Sequence, residues 1–183
     1  MRFLLTCLVL SMAAPVAAED VLTSPYHGQT LSEIRGLTEK EISELLQGRG
    51  MGLARAAELN GYPGPRHVLD AVGAGRLQLI PDQVQRVQRL FDAMSSEAQR
   101  LGSMVLKEES ALEHAFREGV ISETDLLGSV GRIAALQGDL RAVHLRTHLE
   151  TRSVLSEQQI QRYNQLRGYT TGSPEKQEHE HRH

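Results

Sequence analysis

From Val87 onward, apolar residues recur in alternating steps of four and three: Val87, Phe91, Met94, Ala98, Leu101, Val105, Leu112 and Ala115. That spacing keeps one face of a helix apolar and predicts a helix from Pro81 to about Glu118. Glu108 fills the one gap, either as a charge in the seam or as an edge residue reaching solvent. Gly102 is a weak point in the same helix. Gly119-Val120-Ile121 reads as a turn, and Ser122-Glu123-Thr124-Asp125 caps a second long helix running to about Val154. Its seam is Leu126, Val130, Ile133, Gln137, Leu140, His144, Thr147, Thr151 and Val154. Apolar residues dominate the first half and polar residues the second. Two long helices joined by a short turn predict an all-α protein built on a long antiparallel helical hairpin.

Shorter elements flank this pair. Thr38-Glu39-Lys40-Glu41 is a capping box and opens a helix to about Gln47. Gly48, Gly50 and Gly52 interrupt it and read as a helix end. Leu53 to Leu59 forms a short helix stopped by Asn60-Gly61. Pro65 sits at the first position of the next helix, Arg66 to about Val72. Ser156 caps a C-terminal helix from Glu157 to about Leu166. Residues 19–36 read as an extended arm, 37–169 as the helical domain, and 170–183 as a polar, disordered tail.

The N-terminus changes the picture of where this domain resides. Arg2, the apolar stretch Phe3 to Ala14 and the small residues Val16-Ala17-Ala18 predict a cleaved export signal over residues 1–18 and a soluble periplasmic protein. Cys7, the only cysteine, falls within it. The mature chain then has no thiolate, so a metal would be held by imidazole, carboxylate or carbonyl. With Arg2 removed, 19 basic residues face 23 acidic ones, which argues against a nucleic-acid partner. There is no nucleophile elbow, phosphate loop or His-Glu-x-x-His, so no enzyme is expected.

Candidate chemistry centres on Val143-His144-Leu145-Arg146-Thr147-His148. Histidines four apart share a helix face, and both imidazoles can converge on Zn, Ni, Co or Cu. The alternative is a polar spot on a half-buried face. With the turn near residue 120, facing residues have numbers summing to roughly 240. This sets Ser96 opposite His144 and Asp92 opposite His148, with Glu97 on the same flank. Asp92 and Glu97 are therefore candidate ligands, or else surface partners of Arg146, Arg141 or Arg100. His67 is a further candidate if the short helices fold back over the hairpin; otherwise it caps local backbone. Glu58 reads as a helix-end charge. His179, His181 and His183 in the tail can chelate weakly.

One motif repeats. Leu79-Ile80-Pro81-Asp82-Gln83 and Leu155-Ser156-Glu157-Gln158-Gln159 follow Leu-(Thr/Ser)-x-x-Gln, with Ile80 as the deviant. Leu37-Thr38-Glu39-Lys40-Glu41 is a weaker third copy. Over roughly residues 37–168 the chain resembles the exported Spy/CpxP-like family with its LTxxQ motifs, which includes the ZraP and CnrX types. Residues 50–54 and 57–69 resemble a subgroup of periplasmic heavy-metal sensors and refolding chaperones. The resemblance implies a bent hairpin fold, often dimeric. It implies either a divalent metal (Zn, Ni, Co or Cu) reporting envelope stress, or an ATP-independent holdase for unfolded clients. The metal-sensing branch carries a His-x-x-x-His pair before the second motif, where His144 and His148 stand. It also carries a second His-x-x-x-His pair and a carboxylate in the N-terminal helical region; this chain lacks that second pair, and its first helix has no histidine.

Two binding functions follow: a metal-binding or metal-sensing envelope protein, or a holdase whose Leu and Met side chains meet clients. Seventeen arginines against three lysines suit adaptable contacts in the second case. A homodimer is expected because two thin helices bury little surface alone. A membrane-bound sensor or anti-sigma factor is a further candidate partner.

Overall fold

The computed structural model describes residues 24–169. The expected export signal and the tail histidines His179, His181 and His183 lie outside them. The chain divides into two compact units, Met1–Ser32 and Glu33–His183. Where described, the first holds a single 3-10 turn, His27–Gln29. The second unit includes the four residues before Leu37. Ile34 is buried and Arg35 reaches Glu113 at 3.5 Å, so these residues pack with the helices.

The described residues are all-helical, without a strand. The elements are α1 (Glu39–Leu46), α2 (Arg55–Glu58), α3 (Pro65–Gly73), α4 (Pro81–Arg117), α5 (Glu123–Val154) and α6 (Glu157–Arg167). None of these helices is long and apolar enough to cross a membrane. Their boundaries follow local chemistry. Thr38 accepts from the Glu41 amide while the Glu41 carboxylate accepts from the Thr38 amide, closing the box that opens α1. Ser122 caps α5 and Ser156 caps α6, and Pro65 and Pro81 stand at helix starts, where no amide hydrogen is needed.

The long helices α4 and α5 pack against each other. Arg132 Nε donates to Glu108 Oε2 at 2.8 Å, a pair whose numbers sum to the expected value. Glu108 is therefore satisfied across the seam. Farther along, Gln83 Nε2 donates to the Val154 carbonyl at 2.8 Å.

The two repeated motifs meet. Each glutamine side chain accepts from the backbone amide at its own helix start, Ile80 for Gln83 and Ser156 for Gln159. Each also donates to the other, Gln83 Nε2 to Gln159 Oε1 at 3.0 Å and Gln159 Nε2 to Gln83 Oε1 at 2.9 Å. Gln159 also donates to the Gln78 carbonyl. The repeat therefore joins the starts of α4 and α6 through a satisfied amide pair. The third copy caps α1 alone.

Two apolar clusters hold the helices together. Leu45, Ala98, Leu101, Val105 and Leu140 join α1, α4 and α5. Val68, Leu77, Val87, Val154, Leu155, Ile160 and Tyr163 join α3, α4, α6 and the end of α5. Gly102 is the close-approach point of α1 on α4: a Cβ there would lie 2.2 Å from the Leu45 carbonyl oxygen. The residue that weakens α4 as an isolated helix is what lets α1 dock.

Candidate functional site

Between the two apolar clusters the seam turns polar. Along α5 the buried residues after Leu140 are His144, Thr147, His148 and Thr151, before Val154 resumes the core. Buried polar groups need partners. The threonines find theirs within the helix: Thr147 Oγ1 donates to the Val143 carbonyl at 2.9 Å and Thr151 Oγ1 to the Thr147 carbonyl at 2.7 Å. His148 Nδ1 lies 2.8 Å from the Tyr62 carbonyl. A carbonyl only accepts, so Nδ1 carries a proton, and Nε2 is the ring nitrogen left to bind anything else.

His144 is different. It is 3% exposed, and its Nε2 is buried without a hydrogen-bond partner. Among the described residues only one other buried side-chain polar atom shares that condition, Asn164 Oδ1 on α6. Burial, and then the neighbouring His148, hold the His144 pKa below the ordinary imidazole value. The ring is therefore neutral, as a metal ligand must be.

Both histidines line a cleft of roughly 600 Å³. Its other walls are α4, through Phe91, Met94 and Ser95, and the short N-terminal elements, through Gln47 to Gly50, Ala54, and Gly64 to His67 with Asp70. Glycines shape it. Gly48 adopts φ +61°, and a Cβ there would lie 2.9 Å from the Ser95 carbonyl oxygen. A Cβ on Gly64 would lie 3.0 Å from His148 Cε1 and 3.2 Å from its Nε2, so only glycine leaves that nitrogen uncrowded.

Glu58 anchors the wall behind His148. Its carboxylate is buried and accepts from Tyr163 Oη at 2.6 Å, Arg167 Nε at 3.1 Å and the Gly64 amide at 3.2 Å. Its Oε2 lies 3.7 Å from His148 Nδ1. Burial first, and the Glu58 hydrogen bond next, push the Tyr163 hydroxyl pKa upward, so it stays a donor. One carboxylate thus ties α2, α3, α5 and α6 together around the histidine that it backs.

The sequence-expected residues sort as follows. His144, His148 and His67 share the cleft. His67 is half-exposed, with Nδ1 4.0 Å from Asp70 Oδ2. Asp92 and Glu97, expected as facing ligands, are not in the lining. Asp92 accepts from Gln88 at 2.8 Å, and Glu97 is held by Arg100 at 2.6 and 2.8 Å. The expected register put residues 92 and 96 on the facing side; residues 91, 94 and 95 occupy it. One residue turns a helical side chain by about 100°, which is enough to aim Asp92 outward. Among the described residues, no group of three or more His, Cys, Asp or Glu is placed to hold a metal ion. The donors are of the right kind for a metal, but the protein supplies two.

Glu58 is the residue that sequence reasoning misplaced. It read as a helix-end charge because its partners Tyr163 and Arg167 lie more than a hundred residues away. The glycine-rich Gln47–Gly50 segment read as a mere helix end, yet it is also a wall of the cleft. No family model, curated protein or solved structure matches this chain.

Proposed function

We propose that this is an exported periplasmic protein of the envelope-stress kind that binds or senses a divalent transition metal, Zn, Ni, Co or Cu, through His144 and His148. The reading rests on one observation, the buried and unpartnered Nε2 of His144. An orphaned buried nitrogen costs roughly 1–3 kcal/mol. A sequence selected only for stability would replace it by an apolar residue, as it does one turn before at Leu140. A neutral imidazole pair offers two nitrogen lone pairs to an ion of intermediate softness. His148 has the oriented, carbonyl-bonded ring expected of a ligand. The metal would supply a charge that reorganises the cleft walls, and no catalytic step is assigned to it.

Replacement of His144 tests this with two readouts of opposite sign. In the full chain carrying His179→Ala, His181→Ala and His183→Ala, His144→Leu is expected to weaken Co²⁺ uptake at least about a hundredfold. It is also expected to raise metal-free stability by about 1 kcal/mol, because the orphan is removed. Calorimetric titration and urea unfolding give the two numbers. Unchanged uptake rejects His144 as a ligand.

A second reading has its own observation. Phe116, Val120, Leu127 and Val130 are exposed around the turn joining α4 and α5. Such an apolar group suits an ATP-independent holdase of Spy/CpxP-like hairpin form, or the contact of a homodimer. It also suits docking on a membrane-bound sensor or anti-sigma factor. Suppression of aggregation of a denatured client at near-stoichiometric protein, without metal, is the expected result on the holdase reading. No suppression at large excess removes that reading.

A further inference from the structure

This inference rests on the metal reading above and concerns what completes the site. Two imidazoles fill half of a tetrahedral coordination sphere, and no third His, Cys, Asp or Glu is grouped with them among the described residues. The cleft, at roughly 600 Å³, is far larger than an ion with a few waters, each of which takes about 30 Å³. Its walls carry two guanidinium groups, Arg49 and Arg66. Arg66 is bonded to Asp70, the only carboxylate in the lining. Arg49 donates its Nε to Gln47 Oε1 and has no carboxylate partner among the described residues. The loop that carries Arg49 lies against His144: a Cβ on the next residue, Gly50, would be 4.0 Å from His144 Nδ1.

Asp70 offsets Arg66, but Arg49 leaves the lining with one uncompensated positive charge, which disfavours a bare dication. The lining suits an ion with which negative charge enters. A guanidinium presents a planar fork of donors that matches a carboxylate. We infer that the cleft takes its metal together with a small organic carboxylate. Its coordinating oxygens fill the positions left open by His144 and His148, and its outer oxygens accept from Arg49 and from the N–H groups of Arg66 that Asp70 leaves free. The protein then selects a metal chelate over a free ion, and affinity depends on both components.

Malonate is the probe and Co²⁺ the metal, in the full chain with the three tail histidines replaced by alanine. Malonate chelates Co²⁺ in solution, so an independent metal site would lose affinity when malonate is added. The expected result is the reverse: Co²⁺ binding tightens about tenfold, within the usual range of coupling between two ligands, and the d–d absorption of the bound ion changes. In Arg49→Gln/Arg66→Gln the malonate effect is expected to fall below about twofold. Weakening or indifference to malonate, or an undiminished effect in the double variant, overturns the inference while leaving the metal reading intact. Absence of Co²⁺ binding with and without malonate overturns the metal reading itself, and this inference with it.

Discussion

Gly102→Ala is expected to destabilise the protein by about 2–3 kcal/mol, although alanine is the better helix former. The added methyl would sit 2.2 Å from the Leu45 carbonyl oxygen, 2.8 Å from its carbon and 3.2 Å from its Cα. These are backbone atoms of α1, so no rotamer change relieves the contact. The helix must lift from α4, opening the cluster of Leu45, Ala98, Leu101, Val105 and Leu140. Gly131→Ala in α5 is the control, since a Cβ there meets nothing within 4 Å. It should stabilise by up to about 1 kcal/mol. Opposite signs for one chemical change, measured by urea unfolding, test the docking of α1 directly. A Gly102→Ala protein as stable as the parent would mean that α1 does not sit there.

Loss of the Glu58 carboxylate should have an effect of similar size and reach the site as well. Glu58→Ala leaves the buried Tyr163 hydroxyl without its acceptor and the Gly64 amide with only its 3.4 Å contact to Tyr163 Oη, and an orphaned buried group costs about 1–3 kcal/mol. Arg167 loses its partner too, but it is partly exposed and water can replace the carboxylate. A net loss of about 3 kcal/mol is expected, with Glu58→Gln retaining part of the stability through its one remaining carbonyl acceptor. Because Glu58 holds the 58–64 turn whose Tyr62 carbonyl orients His148, metal affinity should fall by about tenfold or more in folded Glu58→Ala protein. Stability within about 0.5 kcal/mol of the parent, well below the usual cost of orphaned buried groups, would show that the network is not the clamp described.

Much of the helical architecture was legible along the chain. The limits of α4, α5 and α6 follow from Pro81, Ser122, Ser156 and the four-three spacing, because caps and periodicity are local. The pairing of Glu108 with Arg132 fits a facing sum of about 240. The same rule failed for Asp92, since a facing register leaves the rotation of each helix undefined by a residue, and one residue decides whether a carboxylate enters a cleft. The role of the repeated glutamines as mutual partners was not legible either. The motif explains how each caps its own helix, while their meeting depends on where α6 comes to rest.

The amino-acid order alone determined the all-helical class, the two long helices, their capped starts and the histidine pair on one face, because each is set by neighbours within a few residues. Tertiary structure decided the rest: Gly102 as a docking point, Glu58 as a buried clamp, and Asp92 and Glu97 as surface groups. It also decided that Thr147, Thr151 and His148 are satisfied while His144 is not. Burial and partnership are set by residues distant in the chain, and only packing brings those to within hydrogen-bond reach or keeps them out of it.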